Sequence, residues 1–573
     1  MYIDIVPNRT SAPAVLLRES IRRDGKIVKT TIANLSSLSP SQIEGIRLVL
    51  RGEPLVAATD AFDKVRDVQH GACEAVRIAM RRLGFDSLID GRRSRERDLV
   101  VAMVASRILK PRSKLATSRV WDQLSIADDL EVAGASADEL YAAMDWLAER
   151  QNRIEAKLAA RHLRNGGLAL YDLSSSYFEG ETCPLAARGH SRDGKPGTLQ
   201  VNYGLLTDER GCPVAVSVYK GNTGDSTTLL PQVVRLREEF GLTDVVIVGD
   251  RGMISQKQIT AMRKLDGVAW ITALRTERIK SLVESGAVQP GLFDERNLFE
   301  LTHEAYPGER LVACRNPELA KRRAHTREEL LSATEVELER VRRSVEAGRL
   351  RSAAKIGLRV GRIIGRYKMA KHFVLNILDD SFAYHRDAQR IEEESALDGL
   401  YVVRTSLDAS RASAAQAVHN YKKLARVERA FRSIKTVDLK VRPIHHHLEG
   451  RVRAHILLCV LAYYVEWHML EALQPVLFAD EMTREEKALR DPVAPATRSD
   501  EALQKCKTKT LPDGSPAQSF HSLMESLGTI IRSTCRPRGA SANATTFQVT
   551  TVPTAAQQRA LDLLSAIQPY PVA

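Results

Sequence analysis

The spacing of apolar and polar residues predicts several kinds of element along the chain. Near the start, two strand-like runs at 15–21 and 26–32 flank the turn residues Asp24-Gly25, which is a β-hairpin pattern. The run Ser39-Pro40-Ser41-Gln42 then predicts a helix that begins with a capping box and has proline at its first position.

Between about Ala61 and Arg164 the apolar period is helical. Two stripes define this region: Val76, Ala79, Met80 and Leu83, and then Val100, Met103, Val104 and Ile108. The second stripe is preceded by four arginines, Arg92, Arg93, Arg95 and Arg97. Basic residues at the start of a helix are suited to phosphate contact, so this pattern predicts a helical DNA-binding region.

From Leu168 onward the pattern changes to short apolar or β-branched runs. These predict strands at 168–173, 201–206, 214–219, 245–248 and 269–274. Helices are predicted at 227–240, where Asp225 and Ser226 are candidate caps, and at 255–264. Three successive strands followed by alternating helices and strands indicate an α/β fold with a mixed sheet.

Residues 276–395 interrupt this order and predict an inserted subdomain. Thr326 and Glu329 suggest a capping box for a long charged helix ending near Arg351, and strands are predicted at 373–378 and 382–385. The pattern then resumes, with elements predicted as a strand at 400–404 and helices at 412–435, 448–470 and 555–567.

The composition is that of a globular protein with several domains. The chain has 573 residues, with 44% hydrophobic and 27% charged. Its longest apolar run, Ile456–Val465, is too short to cross a membrane, and no secretory signal is apparent. The seven cysteines lack CxxC spacing, so we expect no disulfide scaffold or zinc ribbon and a cytoplasmic, reducing environment.

A net charge of +13 predicts a polyanionic partner. The excess is concentrated in 91–119 at +7, 321–370 at +8 and 421–455 at +7. Three basic segments fit a nucleic-acid footprint, although any one of them could equally be a solvated helix face.

Two aspartates occupy positions where a mixed sheet would present them. Asp172 interrupts the apolar run LALYDL, and Asp250 ends the run VVIVGD. A carboxylate at a buried strand needs compensation, and paired aspartates provide oxygen ligands for two Mg²⁺ or Mn²⁺ ions in phosphodiester cleavage. A single such aspartate is more often a cap or turn former.

A third acid is predicted from a helix. Tyr421, Glu428 and Lys435 are spaced by seven residues, which places them on one helix face, and Arg432 joins Glu428 there. This face combines a metal-binding carboxylate with groups that hold phosphate. The alternative is a surface ion pair between Glu428 and Arg432. Two rival carboxylates, Glu394 and Asp398, lack such partners.

Two other motifs are rejected as cofactor sites. Residues Gly189–Lys195 match most of a P-loop, but Pro196 replaces the required hydroxyl residue and a strand follows. We therefore expect no nucleotide cofactor, although the basic residues here could contact DNA. His445, His446, His447 and His455 lack a complementary ligand set for zinc.

The segments YDLSSSYFEG, VVIVGDRGM and YKKLARVERAFRSIK, at 171–180, 245–253 and 421–435, resemble bacterial insertion-sequence DDE transposases. The subgroup they resemble has the signature Tyr-x2-Arg-x3-Glu-x6-Lys. Further similar stretches lie at 189–205, 220–229 and 441–466, so the resemblance runs from about Leu168 to Leu470. The order of these motifs is more specific than any one of them.

This resemblance implies a ribonuclease-H-like catalytic core in which Asp172, Asp250 and Glu428 bind two Mg²⁺ ions, with Mn²⁺ as a substitute. It also implies cleavage at terminal inverted repeats of double-stranded DNA and attack of the 3′-hydroxyl on target DNA. The enzyme would act as a homodimer on paired DNA ends, in the bacterial nucleoid and without a membrane.

The expected DNA contacts are Tyr421, Lys435, Arg432, Arg251, Arg92 and Arg93. This chain departs from the signature at Leu424, where the family has arginine; Arg426 lies about 200° around the helix and does not replace it. Two alternatives to the transposase stay open: an inactive DNA-binding protein of the same fold, and a nuclease without strand transfer.

The predicted organisation has six parts. These are an N-terminal region at 1–60, a helical DNA-binding region at 61–165, the catalytic core in two parts at 166–275 and 396–475, the insertion at 276–395 and a C-terminal region at 476–573.

Overall fold

The computed structural model describes residues 1–9, 11–53, 61–289, 293, 297–480, 491–494 and 498–569. Parts of the predicted N- and C-terminal regions, at 54–60 and 481–490 for example, therefore lie outside the described residues. The chain forms two compact units, one from Met1–Val68 with Ile531–Thr551 and one from Gln69–Ile530 with Val552–Ala573.

The smaller unit contains two small sheets and one helix. Its elements are β1 (Tyr2–Val6), β2 (Ala14–Arg23), β3 (Lys26–Asn34), α1 (Pro40–Leu50), β4 (Phe62–Gln69), β16 (Ile531–Pro537) and β17 (Phe547–Thr550). The predicted hairpin is confirmed as the antiparallel pair β2–β3, which turns at Asp24 and Gly25. The capping box of α1 is also confirmed, since Ser39 and Gln42 each bond the other's backbone N–H. Strand β4 shows that the helical prediction was wrong over its first residues.

The larger unit begins with a layer of helices. These are α2 (Gly71–Arg82), α3 (Phe85–Ile89), α4 (Arg95–Leu109), α5 (Lys114–Val120), α6 (Ser125–Asp129), α7 (Ala137–Ala148) and α8 (Gln151–His162). Every residue of α4 from Asp98 to Ile108 is buried. Because all its faces are covered, α4 is a core helix and has no free face that could enter a DNA groove.

A nine-stranded mixed sheet is the centre of the larger unit. Its strands are β5 (Gly167–Tyr177), β6 (Ala187–Arg188), β7 (Leu199–Asp208), β8 (Pro213–Lys220), β9 (Val245–Val248), β10 (Val268–Ala273), β11 (Leu298–Leu301), β12 (Arg310–Arg315) and β15 (Leu400–Thr405). Five of them are neighbours in the order β8, β7, β5, β9, β10. The hairpin-connected strands β5, β7 and β8 are antiparallel, whereas β9 and β10 continue parallel to β5. The predicted mixed α/β sheet is confirmed.

The helices beside these strands are α9 (Asp225–Glu238), α10 (Gln256–Met262) and α11 (Thr276–Glu284). Helix α9 begins at Asp225, and its N-cap residue is Gly224, which has no side chain that could cap it. The prediction that Asp225 caps this helix was therefore wrong.

The insertion begins by extending the sheet, because β12 pairs with β15 and β11 pairs with β12. The rest forms a helical hairpin and a β-hairpin around their own apolar cluster: α12 (Pro317–Glu346), α13 (Ala353–Tyr367), β13 (Phe373–Ile377), β14 (Phe382–Arg386) and α14 (Ala388–Ser395). Helix α12 is capped by Asn316 and contains Thr326 in its interior. The predicted capping box at Thr326 was therefore wrong, because the Asn316-Pro317 pair starts the helix three turns earlier.

Beyond β15 come α15 (Ala414–Lys422), α16 (Leu424–Arg432), a π-helical turn at Ser433–Val437 and α17 (Glu449–Ala472). Helices α18 (Asp500–Thr508), α19 (Phe520–Leu527) and α20 (Ala555–Ser565) follow. Most of α17 is buried, because it is enclosed by β8, α2, α4 and α7. Among the described residues, no helix is both long and apolar enough to span a bilayer.

Candidate active site

The two aspartates occupy equivalent register positions along neighbouring parallel strands, Asp172 within β5 and Asp250 two residues beyond the end of β9. Leu170 of β5 is paired with Val248 of β9, and Asp172 and Asp250 each lie two residues further on. Because side chains alternate along a strand, a step of two returns to the same face. The parallel register therefore brings Asp172 and Asp250 to one level.

Glu428 reaches this position from α16, which packs against β5. The pKa of Asp172 is raised to about 7, chiefly by burial and then by the negative charges of Asp250 and Glu428. The Leu173 N–H and the Arg192 guanidinium oppose this rise. Asp250 and Glu428 therefore both lie near Asp172, where a cation would relieve the like-charge repulsion.

The turn after β9 fixes Asp250. Its carboxylate accepts a hydrogen bond from the Arg251 N–H at 2.6 Å, and its carbonyl accepts from the N–H groups of Met253 and Ile254 at 3.0 Å. The carboxylate is nevertheless exposed. It is thus held by the backbone with oxygen lone pairs left for a ligand.

Tyr421 and Arg251 lie beside the acids. The pKa of the Tyr421 phenol is raised to about 12, chiefly by burial and then by the charges of Asp250, Glu428 and Asp172, while Arg251 opposes the rise. The phenol is therefore neutral at physiological pH and can donate a hydrogen bond.

The single helix predicted over 412–435 was wrong. The chain forms α15 and α16 with a break at Lys423, and a π-helical turn follows Arg432. Tyr421, Glu428 and Lys435 consequently lie on three successive segments. Arg432 and Glu428 share α16 and both are exposed.

Lys435 is buried and bound to a carboxylate that the sequence did not single out. Its Nζ donates to Asp193 Oδ1 at 2.7 Å, and Asp193 also pairs with Arg442 and accepts from the Tyr177 N–H at 3.0 Å. An expected contact of Lys435 with DNA would require this ion pair to open.

Asp193 belongs to the loop 189–197, which the P-loop comparison had rejected as a nucleotide site. Here Arg192 pairs with Asp225, and its N–H donates to Ser175 Oγ on β5 at 3.1 Å. Lys195 Nζ lies 3.5 Å from the centre of the Tyr177 ring. The loop is thus attached to β5 at Ser175 and Tyr177, a few residues after Asp172.

The arginines just before α4 and in its first turn are largely neutralised within the protein. Arg93 pairs with Asp98 at 2.7 Å and Glu131 at 3.3 Å, Arg95 with Glu139, and Arg97 with Asp98. Arg92 is exposed. Together with the burial of Arg107 and Lys114, these pairs remove much of the predicted positive footprint at 91–119.

The rival acids have structural partners. Glu394 accepts from His372 at 2.5 Å and pairs with Lys371, and Asp398 pairs with Arg327. Both belong to the insertion and its end, whereas the charge of Glu428 raises the pKa of Asp172.

Of the histidines in the rejected zinc motif, His455 is buried and His446 partly buried, whereas His445 and His447 are exposed. His455 Nε2 lies 3.0 Å from the Val441 carbonyl, and its ring is 5.0 Å from that of His446. Burial lowers the pKa of His446 to about 3, so this ring is neutral.

Leu424 packs on the apolar core, and Arg426 points elsewhere. The Arg426 guanidinium donates to the Glu209 carbonyl in the β7–β8 turn at 2.7 Å. It therefore does not supply the missing signature arginine.

Residues 180–465 match a family model described as Transposase DDE domain. The matched range contains Asp250 and Glu428, and Asp172 lies eight residues before it. The match supports a DDE transposase. The solved structures that are similar include the cryo-EM structure of piggyBac transposase synaptic complex with hairpin DNA, at 9% identity and a TM-score of 0.33, covering 81% of this chain and 90% of that one. No curated protein matches the chain.

Proposed function

We propose that this protein is a DDE transposase that cuts double-stranded DNA at the inverted repeats of its element and joins the freed 3′-hydroxyl to target DNA. The proposal rests on one observation above all: Asp172 within β5 and Asp250 just beyond β9 share one register level, and the charges of Asp250 and Glu428 both raise the pKa of Asp172. In a bacterial host such an enzyme would act on the nucleoid.

A ribonuclease-H-like core is supported by the sheet. The order β8, β7, β5, β9, β10, with three antiparallel strands followed by two parallel ones, presents Asp172 in the middle of β5 beside Asp250, which lies just beyond the carboxyl end of β9. In open α/β sheets, ligands bind outside the carboxyl ends of such strands.

The donor set fits two Mg²⁺ ions held by Asp172, Asp250 and Glu428. All the donors are carboxylate oxygens, which hard cations prefer. The raised pKa of Asp172 reflects a negative charge that has no full compensation in the protein, and a divalent cation would supply it. The ions would activate the attacking hydroxyl and stabilise the leaving oxygen.

The residues around the acids would orient the DNA end. Tyr421 can donate its phenolic hydrogen to a phosphate oxygen, and the exposed Arg251 and Arg432 supply positive charge nearby. Lys435 would act through Asp193, holding the loop 189–197 against β5.

A second DNA contact is supported on α13 of the insertion. Lys355, Arg359, Arg362 and Arg366 are exposed, and their spacing places them within about 60° of one another around the helix. In the described part of the chain they form no ion pairs, whereas arginines of α12 such as Arg340 and Arg342 pair with Glu337 and Glu339. The α13 stripe is thus a free row of cations suited to a phosphate backbone.

The test is cleavage of a labelled duplex containing the repeat that flanks the gene. We expect Mg²⁺-dependent cutting at the repeat boundary by the wild type and loss of cutting in Glu428→Gln. The matched control is Glu394→Gln, since this acid pairs with Lys371 and His372.

Binding without cutting would favour an inactive DNA-binding protein. Cutting without joining to target DNA would favour a nuclease. A homodimer should form on paired ends, which sizing of the DNA complex would reveal.

A further inference from the structure

A second cluster of metal-ligand side chains lies apart from the acids. His162 is the last residue of α8, Cys212 lies in the β7–β8 turn and His468 lies on α17. Among the described residues, these three are the one group of three or more histidine, cysteine or acidic residues whose ligand atoms all lie within 4.8 Å of one another.

The separations match a thiolate–imidazole metal site. Cys212 Sγ is 3.8 Å from His468 Nε2 and 4.0 Å from His162 Nε2. Tetrahedral zinc with bonds of about 2.3 Å to sulfur and 2.0–2.1 Å to nitrogen requires a sulfur–nitrogen separation of about 3.6 Å. Both sulfur–nitrogen separations are thus within a few tenths of an ångström of this value, and the three ligand atoms all lie within 4.8 Å of one another.

The surroundings favour the neutral form of both histidine rings, which is the form that binds a metal ion. Burial lowers the pKa of His162 to about 3 and that of His468 to about 2, so both imidazoles are neutral and have a nitrogen lone pair. Cys212 is fully buried and its thiol pKa is raised, but a coordinated metal deprotonates a thiol outright.

The turn that holds Cys212 is built around Asp208. Its Oδ1 accepts from the N–H groups of Arg210 at 2.8 Å and Cys212 at 2.9 Å, and its Oδ2 lies 4.0 Å from His162 Nδ1. Ligating histidines commonly donate their second nitrogen to such a carboxylate. In this structure Arg210 Nη2 lies 3.2 Å from the same Nδ1. When a metal binds, Arg210 would lose this contact with His162 and keep its hydrogen bond to Asp208.

We propose that His162, Cys212 and His468 form a Zn²⁺ site that joins α8, the β7–β8 turn and α17. The fourth position would be filled by water or by the Tyr464 hydroxyl, which lies 3.2 Å from His162 Nε2. Thiolate and imidazole select zinc over Mg²⁺, so this site and the carboxylate site take different ions. Asp208 pairs with Ala169, nearer the amino end of β5 than Asp172, so the two sites are also separate in space.

The test uses Co²⁺ as a spectroscopic probe of the full-length protein after chelator treatment. We expect one Co²⁺ per chain with a sulfur-to-cobalt charge-transfer band, displaced by Zn²⁺. Cys212→Ser should abolish the band, and His468→Gln should weaken Zn²⁺ binding by at least about 100-fold. The matched control is Cys459→Ala, a buried thiol of α17 outside the cluster, which should keep the band.

A measurement on the wild type alone guards against misfolded variants. Zn²⁺ should protect Cys212 from alkylation, read by mass spectrometry, more than it protects Cys459. No charge-transfer band, a band that survives Cys212→Ser, or equal alkylation of Cys212 with and without Zn²⁺ would overturn the proposal and leave a packed aromatic cluster. DNA cleavage does not enter this test, so its outcome is independent of the transposase proposal.

Discussion

The ammonium of Lys435 donates a hydrogen bond of 2.7 Å to Asp193, a carboxylate whose side chain is 1% exposed. This contact joins the segment after α16, which bears Glu428, to the loop that follows Asp172 in the chain. Arg442 pairs with the same carboxylate. The buried Asp193 carboxylate thus holds both Lys435 and Arg442, and it links the two parts of the chain that form the candidate catalytic core.

Replacing Asp193 should therefore be costly. Asp193→Ala leaves Lys435 buried without its anion, and removing one partner of a buried pair costs about 3–5 kcal/mol. Denaturant unfolding measures this loss. The control is Asp145→Ala, which removes an exposed pair with Arg451 and should cost about 1 kcal/mol or less. Equal effects of the two changes would contradict the role given to Asp193.

Neutralising part of the α13 stripe should weaken DNA binding. Arg359→Ala with Arg362→Ala removes two phosphate contacts, so the slope of log affinity against log salt should become shallower by about two. Affinity measured at several salt concentrations checks this. The pair Arg340→Ala and Arg342→Ala on α12 removes equal charge from paired residues and should change the slope less. An equal change from both pairs would mean that net charge, rather than the stripe, binds DNA.

These predictions depend on contacts that local sequence patterns could not reveal. The hairpin at Asp24-Gly25 and the capping box at Ser39 were predictable because the interacting residues are close in sequence. The positions of Asp172 and Asp250 were predictable because each interrupts or ends an apolar run.

Long-range pairing accounts for most of what was missed. Asp193 and Lys435 are separated by 242 residues, and Cys212 and His468 by 256. The break at Lys423 and the strand β4 arise from tertiary packing that overrides the local helical period. Asp193 did have one signal, since it lies in a stretch that resembles the family.

The pH dependence of stability should reveal Lys114. Burial and the charge of Arg107 lower the pKa of this lysine from 10.5 to about 7. Between these values the unfolded chain binds more protons than the folded one, so the free energy of unfolding rises with pH from about 7 to 10.5. At pH 7, the free energy of unfolding of Lys114→Met should exceed that of the wild type by at least ~1 kcal/mol. The variant should also lack the rise with pH that Lys114 causes in the wild type.

Urea unfolding at pH 7 and pH 9.5 checks the expectation. Lys257→Met, at an exposed position of α10, serves as the control and should behave as the wild type does. A wild-type midpoint that falls over this range together with no gain in Lys114→Met would contradict the buried, weakly basic lysine.

Removing the Tyr421 hydroxyl should slow catalysis without preventing metal binding. A hydrogen bond from this phenol to a phosphate is worth about 1.5–3 kcal/mol, so Tyr421→Phe should cut DNA about 10–100-fold more slowly. Tyr384→Phe, in the insertion, is the control. Single-turnover cleavage rates at saturating Mg²⁺ separate the two. An unchanged rate in Tyr421→Phe would exclude a role for the hydroxyl at the DNA end.

We propose that Asp172, Asp250 and Glu428 perform metal-dependent DNA cleavage. Cleavage and binding of the flanking repeat by the wild type and by Asp250→Asn, each with Mg²⁺ and with EDTA, test this. We expect metal-dependent cutting that Asp250→Asn abolishes, while DNA affinity is kept because it comes mainly from phosphate contacts elsewhere. Cleavage that persists in Asp250→Asn, or that proceeds equally in EDTA, would show that these acids are not the catalytic site.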